Sequence, residues 1–239
     1  MELPAKTHLF EQIHEILWDK IRSGDIVPGQ RMKDIDWAQK LSVSRTPVRE
    51  AMRKMQQEGV LIPLAQGGYE VRRVSRADLI NLYRCRAAME ALATEDAAAR
   101  FDDTANIRLT KLVARCDEAI ERGDFDKAFA LNTEFHTTLI DMSDNEHLKS
   151  VYDSLRRMIL FYRTSLLNRV KRNSTGRDDY ATRLRIKQQR HREILAALKS
   201  KDGAHAAKLM ESHVRETAED LLPAVPATQA QVSTDEAAA

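Results

Sequence analysis

The sequence predicts a mainly α-helical protein of two domains, and three observations lead to that expectation. Ala, Leu, Arg and Glu are abundant among the 239 residues, whereas there are only eight glycines and six prolines; this composition favours helices. Residues 1–74 show three helical segments followed by a hairpin pattern, and residues 75–222 show helical periodicity throughout. We therefore expect an N-terminal winged helix-turn-helix domain followed by a C-terminal all-α antiparallel helical bundle.

Each element of the N-terminal domain has its own signal. Apolar residues repeat on one helical face over about 7–23, before Gly24, and a short helix over about 34–41 is predicted with Ile35, Ala38 and Leu41 inward. A third helix over about 45–58 has Ser44 as a plausible N-cap. Two β-like stretches, 60–62 and 69–71, flank a loop that contains Gly67 and Gly68, which predicts a small hairpin.

The C-terminal domain is predicted to contain six helices joined by short polar breaks. Ser75 followed by Asp78 resembles a capping box at its start. The tail over 223–239 has no apolar periodicity and is predicted to be disordered. The predicted helices span about 76–100, 104–122, 124–142, 146–171, 178–200 and 203–221, with the break before the fifth at 173–176.

Composition and charge say more about the cellular location of the protein than about its function. The formal net charge is only +2, so bulk charge does not indicate a nucleic-acid partner and local charge placement has to carry that argument. Cys85 and Cys116 form no CxxC pair, which is typical of reduced cysteines in a cytosolic protein, with a disulfide as the alternative. No apolar run reaches the roughly 18–20 residues of a membrane span, and the first residues lack the features of a signal peptide. We expect a cytoplasmic protein with no membrane partner.

The third helix carries a candidate DNA-reading surface. Val48, Ala51, Met52 and Met55 recur at helical spacing on one face, while Arg45, Arg49 and Arg53 form a separate stripe. Three such arginines can be merely a solvated face, but a recognition helix occupies this place in a winged helix-turn-helix. Arginine can pair with guanine or hold a phosphate, and residues at the helix start can reach phosphates; here these are Ser44 and Thr46.

The segment PGQRMKDIDWAQKLSVSRTPVREAMRKMQQEGVLIPLAQGGYEV resembles the DNA-binding head of the GntR family. The matching positions include Val43-Ser44-Arg45, Pro47-Val48-Arg49-Glu50-Ala51, Glu58-Gly59 and Gly68. The resemblance implies that Arg45 and Arg49 contact DNA and that Gly68 of the wing approaches the minor groove. Gly67 departs from the pattern, because many relatives have a basic residue there.

The predicted bundle contains an unusual set of inward polar residues. Asn132 and His136 lie four apart on the apolar stripe of one helix, and His191 and His213 lie on the apolar stripes of two later helices. A single inward histidine is usually a satisfied core residue, but three unpaired imidazoles are costly to bury, and one metal ion would satisfy all of them. Three imidazoles and one oxygen suit Zn²⁺ or Ni²⁺. His8, His14, His147 and His205 fit no such pattern and are expected at the surface.

The region from about Arg76 to Leu222 resembles the ligand-sensing, FCD-type domain of the FadR subgroup of GntR regulators. Its hallmark of Asp/Asn-x3-His with two later histidines is matched by Asn132, His136, His191 and His213. The resemblance implies a divalent metal held by these four residues. Aspartate is commoner at the position of Asn132, and the neutral amide removes one negative charge from the site.

Arg86 and Glu90 also match this domain and lie one helical turn apart. They form either an intrahelical salt bridge or a site in which Arg86 binds the carboxylate of an effector. Further candidates for the effector pocket are Tyr83, Tyr162 and Arg163.

The sequence therefore predicts a homodimeric transcriptional regulator rather than an enzyme. A two-fold protein suits a palindromic double-stranded operator, and a small organic acid bound beside the metal would alter operator affinity; relief of repression is the commoner arrangement in relatives. A metalloenzyme would need a carboxylate base near the metal, and a di-iron bundle would need Glu-x-x-His motifs; neither is evident. A ligand-free nucleoid protein would be more basic.

Overall fold

A computed structural model gives the fold of residues 9–171 and 176–225, with the backbone alone described for residues 167–171 and 176–179. Its elements, in chain order, are α1 (Leu9–Ser23), β1 (Arg31–Met32), α2 (Asp34–Leu41), α3 (Arg45–Gln57), β2 (Leu61–Pro63), β3 (Tyr69–Val71), α4 (Arg76–Arg100), α5 (Asp103–Glu121), α6 (Phe125–Met142), α7 (Glu146–Lys171), α8 (Gly176–Lys199), α9 (Gly203–Leu221) and a 3-10 turn (Leu222–Ala224).

The head, which comprises α1 to α3 and the sheet, has a three-stranded antiparallel sheet in the order β1-β3-β2. Strand β1 was missed by the sequence analysis because two residues are too few to show a periodic pattern. It pairs Arg31 with Glu70 and Met32 with Tyr69. The predicted hairpin is present, with its first strand one residue later than predicted. The head is therefore a helix-turn-helix closed by a small sheet.

Two expectations for the head are wrong. In α2, Ile35 is 52% exposed, whereas Trp37 is only 6% exposed, because burying the larger indole removes more apolar surface from water. In α1, His14 is buried, and its Nε2 lies 2.9 Å from Oε2 of Glu58. His14 shares the inward face of α1 with Ile13 and Leu17, and Glu58 satisfies its ring.

In the bundle, which comprises α4 to α9, α4 packs along α9, α6 packs against α4, and α8 packs against α9. Helix α5 packs against α6 and α8, and α7 packs against α4. Its helices begin within two residues of the predicted starts. Ser75 accepts the backbone N–H of Asp78 at the start of α4, and aspartates at 102, 124 and 202 cap α5, α6 and α9 in the same way. These caps satisfy otherwise unpaired N–H groups and fix where each turn between helices lies.

The end of the described chain departs from the expected tail. The chain continues past α9 through the 3-10 turn to Val225, which is buried. The rest of the predicted disordered tail, residues 226–239, lies outside the described residues, as do His8 and positions 172–175 of the predicted break. His147 and His205 are exposed, as expected. Within the described ranges, no helix combines the length and apolarity needed to cross a bilayer.

The head and the bundle meet where α1 packs against α7. The guanidinium of Arg157 in α7 lies 2.9 Å from Glu15 Oε1 and 3.8 Å from Glu58 Oε1, and it stacks 5.5 Å from the ring centroid of Trp18. The Met158 side chain lies over Gly59, where there is no Cβ. Charged and apolar contacts therefore tie α7 to the head.

Candidate functional site

The third helix presents two chemically different faces. Val48, Ala51, Met52 and Met55 are completely buried in the head. The opposite face is exposed to solvent and contains the side chains that the sequence singled out: Ser44, Arg45, Thr46, Arg49 and Arg53. Ser44 occupies the N-cap position of α3, although its side chain makes no capping hydrogen bond. The arginine row therefore lies on a surface that a DNA duplex can reach.

One carboxylate, which the sequence analysis did not single out, holds two of these arginines. Asp34, the first residue of α2, accepts hydrogen bonds from Arg45 at 3.2 Å and from Arg49 at 3.0 Å. Its partial burial alone would raise the pKa of Asp34, but the hydrogen bonds from the two arginines outweigh that effect and lower it. Asp34 thus stays ionised and orients both guanidinium groups. Its partners lie 11 and 15 residues away, beyond the reach of helical spacing.

The predicted wing is present, but its two glycines differ. Gly67 and Gly68 both have positive φ, +86° and +80°, a conformation that costs other residues free energy. Space around Gly67 is open, whereas a Cβ on Gly68 would lie 2.8 Å from the carbonyl oxygen of Met32. Gly68 is half-buried against β1 and Gly67 is exposed. The exposed tip of the wing is therefore Gly67 with its neighbours, and Gly68 allows the hairpin to approach β1.

Three helices bring the predicted histidine cluster together in the bundle core. His136 of α6, His191 of α8 and His213 of α9 are each at most 2% exposed, and one ring nitrogen of each lies within 4.8 Å of the others. The Nε2 atoms of His191 and His213 are 3.2 Å apart. Burial is the main cause that lowers the pKa of all three imidazoles, so near neutral pH they carry no charge and keep a free nitrogen lone pair.

Two oxygen-bearing side chains lie beside the Nδ1 atoms of two of these rings. His136 Nδ1 lies 2.7 Å from Glu90 Oε2, and His191 Nδ1 lies 3.3 Å from Gln188 Oε1. An acceptor at Nδ1 holds the proton there and leaves Nε2 as a lone-pair donor, which is the arrangement found around metal-bound histidines. The donor set thus fits a divalent cation of the zinc or nickel type.

Asn132 lies beside the cluster, as predicted, but it also has a cationic partner. Its Nδ2 is 3.4 Å from His191 Nε2, and its Oδ1 accepts a 2.5 Å hydrogen bond from Arg163 of α7. Arg163 also donates to Thr133 Oγ1 at 3.1 Å and lies over the ring of Phe129. Every one of these partners is neutral. Arg163 therefore has no carboxylate partner among the described residues.

Arg86 belongs to a buried ion pair. Its Nε donates to Glu90 Oε1 at 2.7 Å, and the two side chains are only 3% and 1% exposed. The Tyr152 hydroxyl donates to the same carboxylate oxygen at 3.0 Å. Burial by itself would disfavour both charges, but their mutual attraction raises the pKa of Arg86 and lowers the pKa of Glu90. The salt-bridge alternative is therefore present in the structure, and Glu90 links Arg86 to His136.

A cavity opens beside the histidine cluster, and some of the predicted effector-binding residues line it while others do not. Arg86 and Arg163 line it, whereas Tyr83 and Tyr162 do not. Tyr83 lies against Arg86, with its ring centroid 5.3 Å from the guanidinium carbon. Tyr162 directly precedes Arg163 in α7, so its side chain projects about 100° around the helix axis from that of Arg163. The cavity is lined by Arg86, Cys116, Ala128, Phe129, Asn132, His136, Arg163, Tyr180, Leu184, Lys187, Gln188, His213, Thr217 and Leu221.

Among the lining residues that were not predicted as site residues are three polar side chains of α8: Tyr180, Lys187 and Gln188. Lys187 and Gln188 precede His191 by four and three residues. Helical spacing from His191 was the signal that could have placed both on its face.

Comparison with known proteins identifies the architecture. Residues 9–71 match the family model "Bacterial regulatory proteins, gntR family", and residues 81–216 match the FCD domain model. The chain belongs to the GntR family. Its C-terminal part is an FCD domain, and the arginine-bearing helix lies within the DNA-binding region of a GntR regulator.

Similar proteins cover most of the chain. An uncharacterized HTH-type transcriptional regulator, YdhC of Bacillus subtilis, is 29% identical over 92% of this chain and 94% of its own. The Nta operon transcriptional regulator of Aminobacter aminovorans is 28% identical over 87% and 91%, and the transcriptional repressor RspR of Escherichia coli is 26% identical over 88% of each chain.

Solved structures share the fold. McbR/YncC of E. coli superposes with a TM-score of 0.72 at 22% identity, over 91% of this chain and 98% of that one. A GntR regulator from Rhodococcus sp. RHA1 gives 0.70 at 21% identity, over 91% and 99%. These structures show the fold, whereas the sequence relatives above are named as transcriptional regulators. This GntR-family chain is a transcriptional regulator too, and none of the sequence relatives favours the enzyme alternative.

Proposed function

We propose that this GntR regulator is a homodimeric repressor of the FadR subgroup whose affinity for a palindromic operator is controlled by a small carboxylate effector. The effector binds beside a divalent metal, Zn²⁺ or Ni²⁺, at the histidine cluster. The observation that carries the proposal is a guanidinium, that of Arg163, which faces a cavity next to three neutral imidazoles and has no carboxylate partner among the described residues.

At the DNA end, Arg45 and Arg49 supply the base or phosphate contacts. Asp34 fixes both guanidinium groups on the free protein, so less side-chain freedom is lost on binding. Arg53 continues the same exposed row, and Ser44 and Thr46 at the helix start are placed to meet phosphates. Two heads related by two-fold symmetry would meet successive major grooves, about 34–36 Å apart.

At the sensing end, His136, His191 and His213 would hold the metal through Nε2. Asn132 Oδ1 is the remaining candidate ligand, but it is engaged by Arg163, and its amide is a weaker ligand than a carboxylate. When bound, the cation supplies a Lewis acid that favours a carboxylate oxygen. Arg163 is the natural partner for that carboxylate because its present partners are neutral. Arg86 acts mainly through Glu90, which orients His136.

A gel-shift titration tests the proposed DNA-binding surface. Its duplex is one that the wild-type protein selects from a pool of random sequences. Arg49→Ala should weaken binding about 5- to 150-fold, the range for one lost base contact. Arg122→Ala is the matched control, since it removes one exposed charge from α5's end in the bundle. Equal affinity of wild type and Arg49→Ala would overturn the recognition surface.

Calorimetry with Zn²⁺ and Ni²⁺ on chelator-stripped full-length protein tests the sensing end. We expect about one ion per chain, lost in His136→Ala and retained in His205→Ala, whose histidine is exposed. Small carboxylates should then release the selected duplex from wild type but not from Arg163→Met. Release that is equal in Arg163→Met would overturn the role of that arginine, and light scattering would check the dimer.

A further inference from the structure

Lys187 is a buried cation at the cavity that the function proposed above does not use. It lies one helical turn before His191 on α8, it lines the cavity, and its side chain is only 14% exposed. Its Nζ lies 3.3 Å from Asp220 Oδ2, and Asp220 is itself 38% exposed. The lysine that lines the cavity is therefore less exposed to solvent than its counter-ion.

The charges around the cavity do not balance. Among the residues whose side chains the structure describes, the lining includes three cations, Arg86, Arg163 and Lys187, and no carboxylate. The described acids paired with these cations are Glu90 and Asp220, so this group carries one net positive charge when the imidazoles are neutral. A divalent ion at the histidine cluster would bring this to +3. Because uncompensated buried charge is unfavourable, the cavity suits a ligand with more than one negative group.

Two of these cations, Arg163 and Lys187, reach the cavity from different helices. Arg163 reaches the cavity from α7 and contacts α6, whereas Lys187 reaches it from α8 and contacts α9. Both side chains line the same cavity. Burial is the main cause that lowers the pKa of Lys187 to about 8, and the charges of Arg163 and Arg86 add to this effect against the attraction of Asp220. Apolar side chains, those of Phe129, Leu184 and Leu221 among them, line the same space.

We infer that the effector is a small dicarboxylate, with one carboxylate held by Arg163 beside the histidine cluster and the second held by Lys187. The apolar wall faces its short carbon chain. This inference rests on the proposed function and adds the second charge, which a monocarboxylate lacks.

Calorimetry on the Zn²⁺-loaded full-length protein tests it with ligand pairs of equal chain length: succinate against butyrate, and glutarate against valerate. Each dicarboxylate should bind at least about 10-fold more tightly than its partner, as one charged hydrogen bond allows. Lys187→Met should remove this preference and leave monocarboxylate binding unchanged. Lys187→Arg should restore it, and Lys199→Met, which changes an exposed lysine on the same helix, should have no effect.

The outcomes separate this inference from the proposed function. If monocarboxylates bind as tightly as dicarboxylates and still require Arg163, the dicarboxylate inference is wrong while the proposed function stands. If Lys187→Met still binds dicarboxylates more tightly than monocarboxylates by the wild-type factor, the dicarboxylate inference is likewise wrong and the proposed function stands. If neither class binds, both the inference and the carboxylate effector are overturned.

Discussion

The ion pair between Arg86 and Glu90 offers a sharp test of how this GntR regulator stabilises the core of its FCD domain. Glu90→Gln removes the charge while keeping the size and an oxygen that can accept from Tyr152. The guanidinium of Arg86, only 3% exposed, then has no counter-charge. Removal of one partner from a buried pair costs about 3–5 kcal/mol, and we expect a loss of that size in the free energy of unfolding.

The chain contains a matched control for this change. Glu211 and Arg215 on α9 have the same four-residue spacing and the same 2.7 Å separation, but they are 43% and 51% exposed. Glu211→Gln should therefore change stability by less than about 1 kcal/mol. The double variant Arg86→Gln/Glu90→Gln should cost no more than either single change, because no isolated charge is left inside.

Urea unfolding followed by circular dichroism measures these changes. Tryptophan fluorescence would report the wrong domain, since Trp18 and Trp37 both lie in the head. If Glu90→Gln cost no more than Glu211→Gln, the pair would contribute nothing special to the core. Arg86 would then be as free as Arg163 to bind an effector, and our assignment of their roles would be wrong.

Three further predictions follow from other parts of the molecule. In metal-stripped protein, burial lowers the pKa of each imidazole of the histidine cluster, so acid protonates the unfolded chain more readily than the folded chain. As the pH drops below about 6.5, the free energy of unfolding should therefore decrease, and at pH 5.5 the loss should be about 1.4 kcal/mol for each imidazole that stays neutral in the folded state. Equal urea midpoints at pH 7.5 and 5.5 would contradict this. Gly68→Ala should destabilise the protein more than Gly67→Ala in thermal melts, since both have positive φ but only Gly68 would bring a Cβ against Met32; equal losses would mean that backbone strain alone matters. Arg157→Met should speed tryptic cleavage between head and bundle, because Arg157 contacts the acids of the head. Arg156→Met, which leaves those contacts in place, should not. Identical digestion rates would show that the junction does not depend on the ion pairs of Arg157.

The sequence pattern predicted much of the fold because the buried face of a helix appears as apolar residues at regular spacing within one short segment. The bounds of α2, α4, α7 and α9 agree with prediction, since apolar periodicity marks them and Ser75 and Asp202 cap α4 and α9. The same logic placed His136, His191 and His213 in one interior, because each lies on an apolar stripe. Strand β1 was missed because a two-residue strand has no period, and Ile35 was misplaced because α2 buries Trp37.

Contacts between distant segments could not be predicted in this way. Asp34 meets the arginines of α3 because α2 and α3 pack together, and His14 is buried because Glu58 reaches it from the end of another helix. Periodicity says which face of a helix is covered but not by which neighbour. The same limit applied to Lys187, since only the packed bundle shows that it shares a cavity with Arg163.

Helix α7 joins the two ends of the molecule within two turns. Arg157 contacts the head and Arg163 contacts Asn132 beside the histidine cluster, and six residues of helix place them about 9 Å apart. The side chains that contact the head and those that line the cavity therefore project from one continuous helix. In the effector-controlled homodimer proposed above, a ligand-induced displacement of α7 would move both sets of contacts together, and with them the spacing of the two DNA-reading helices.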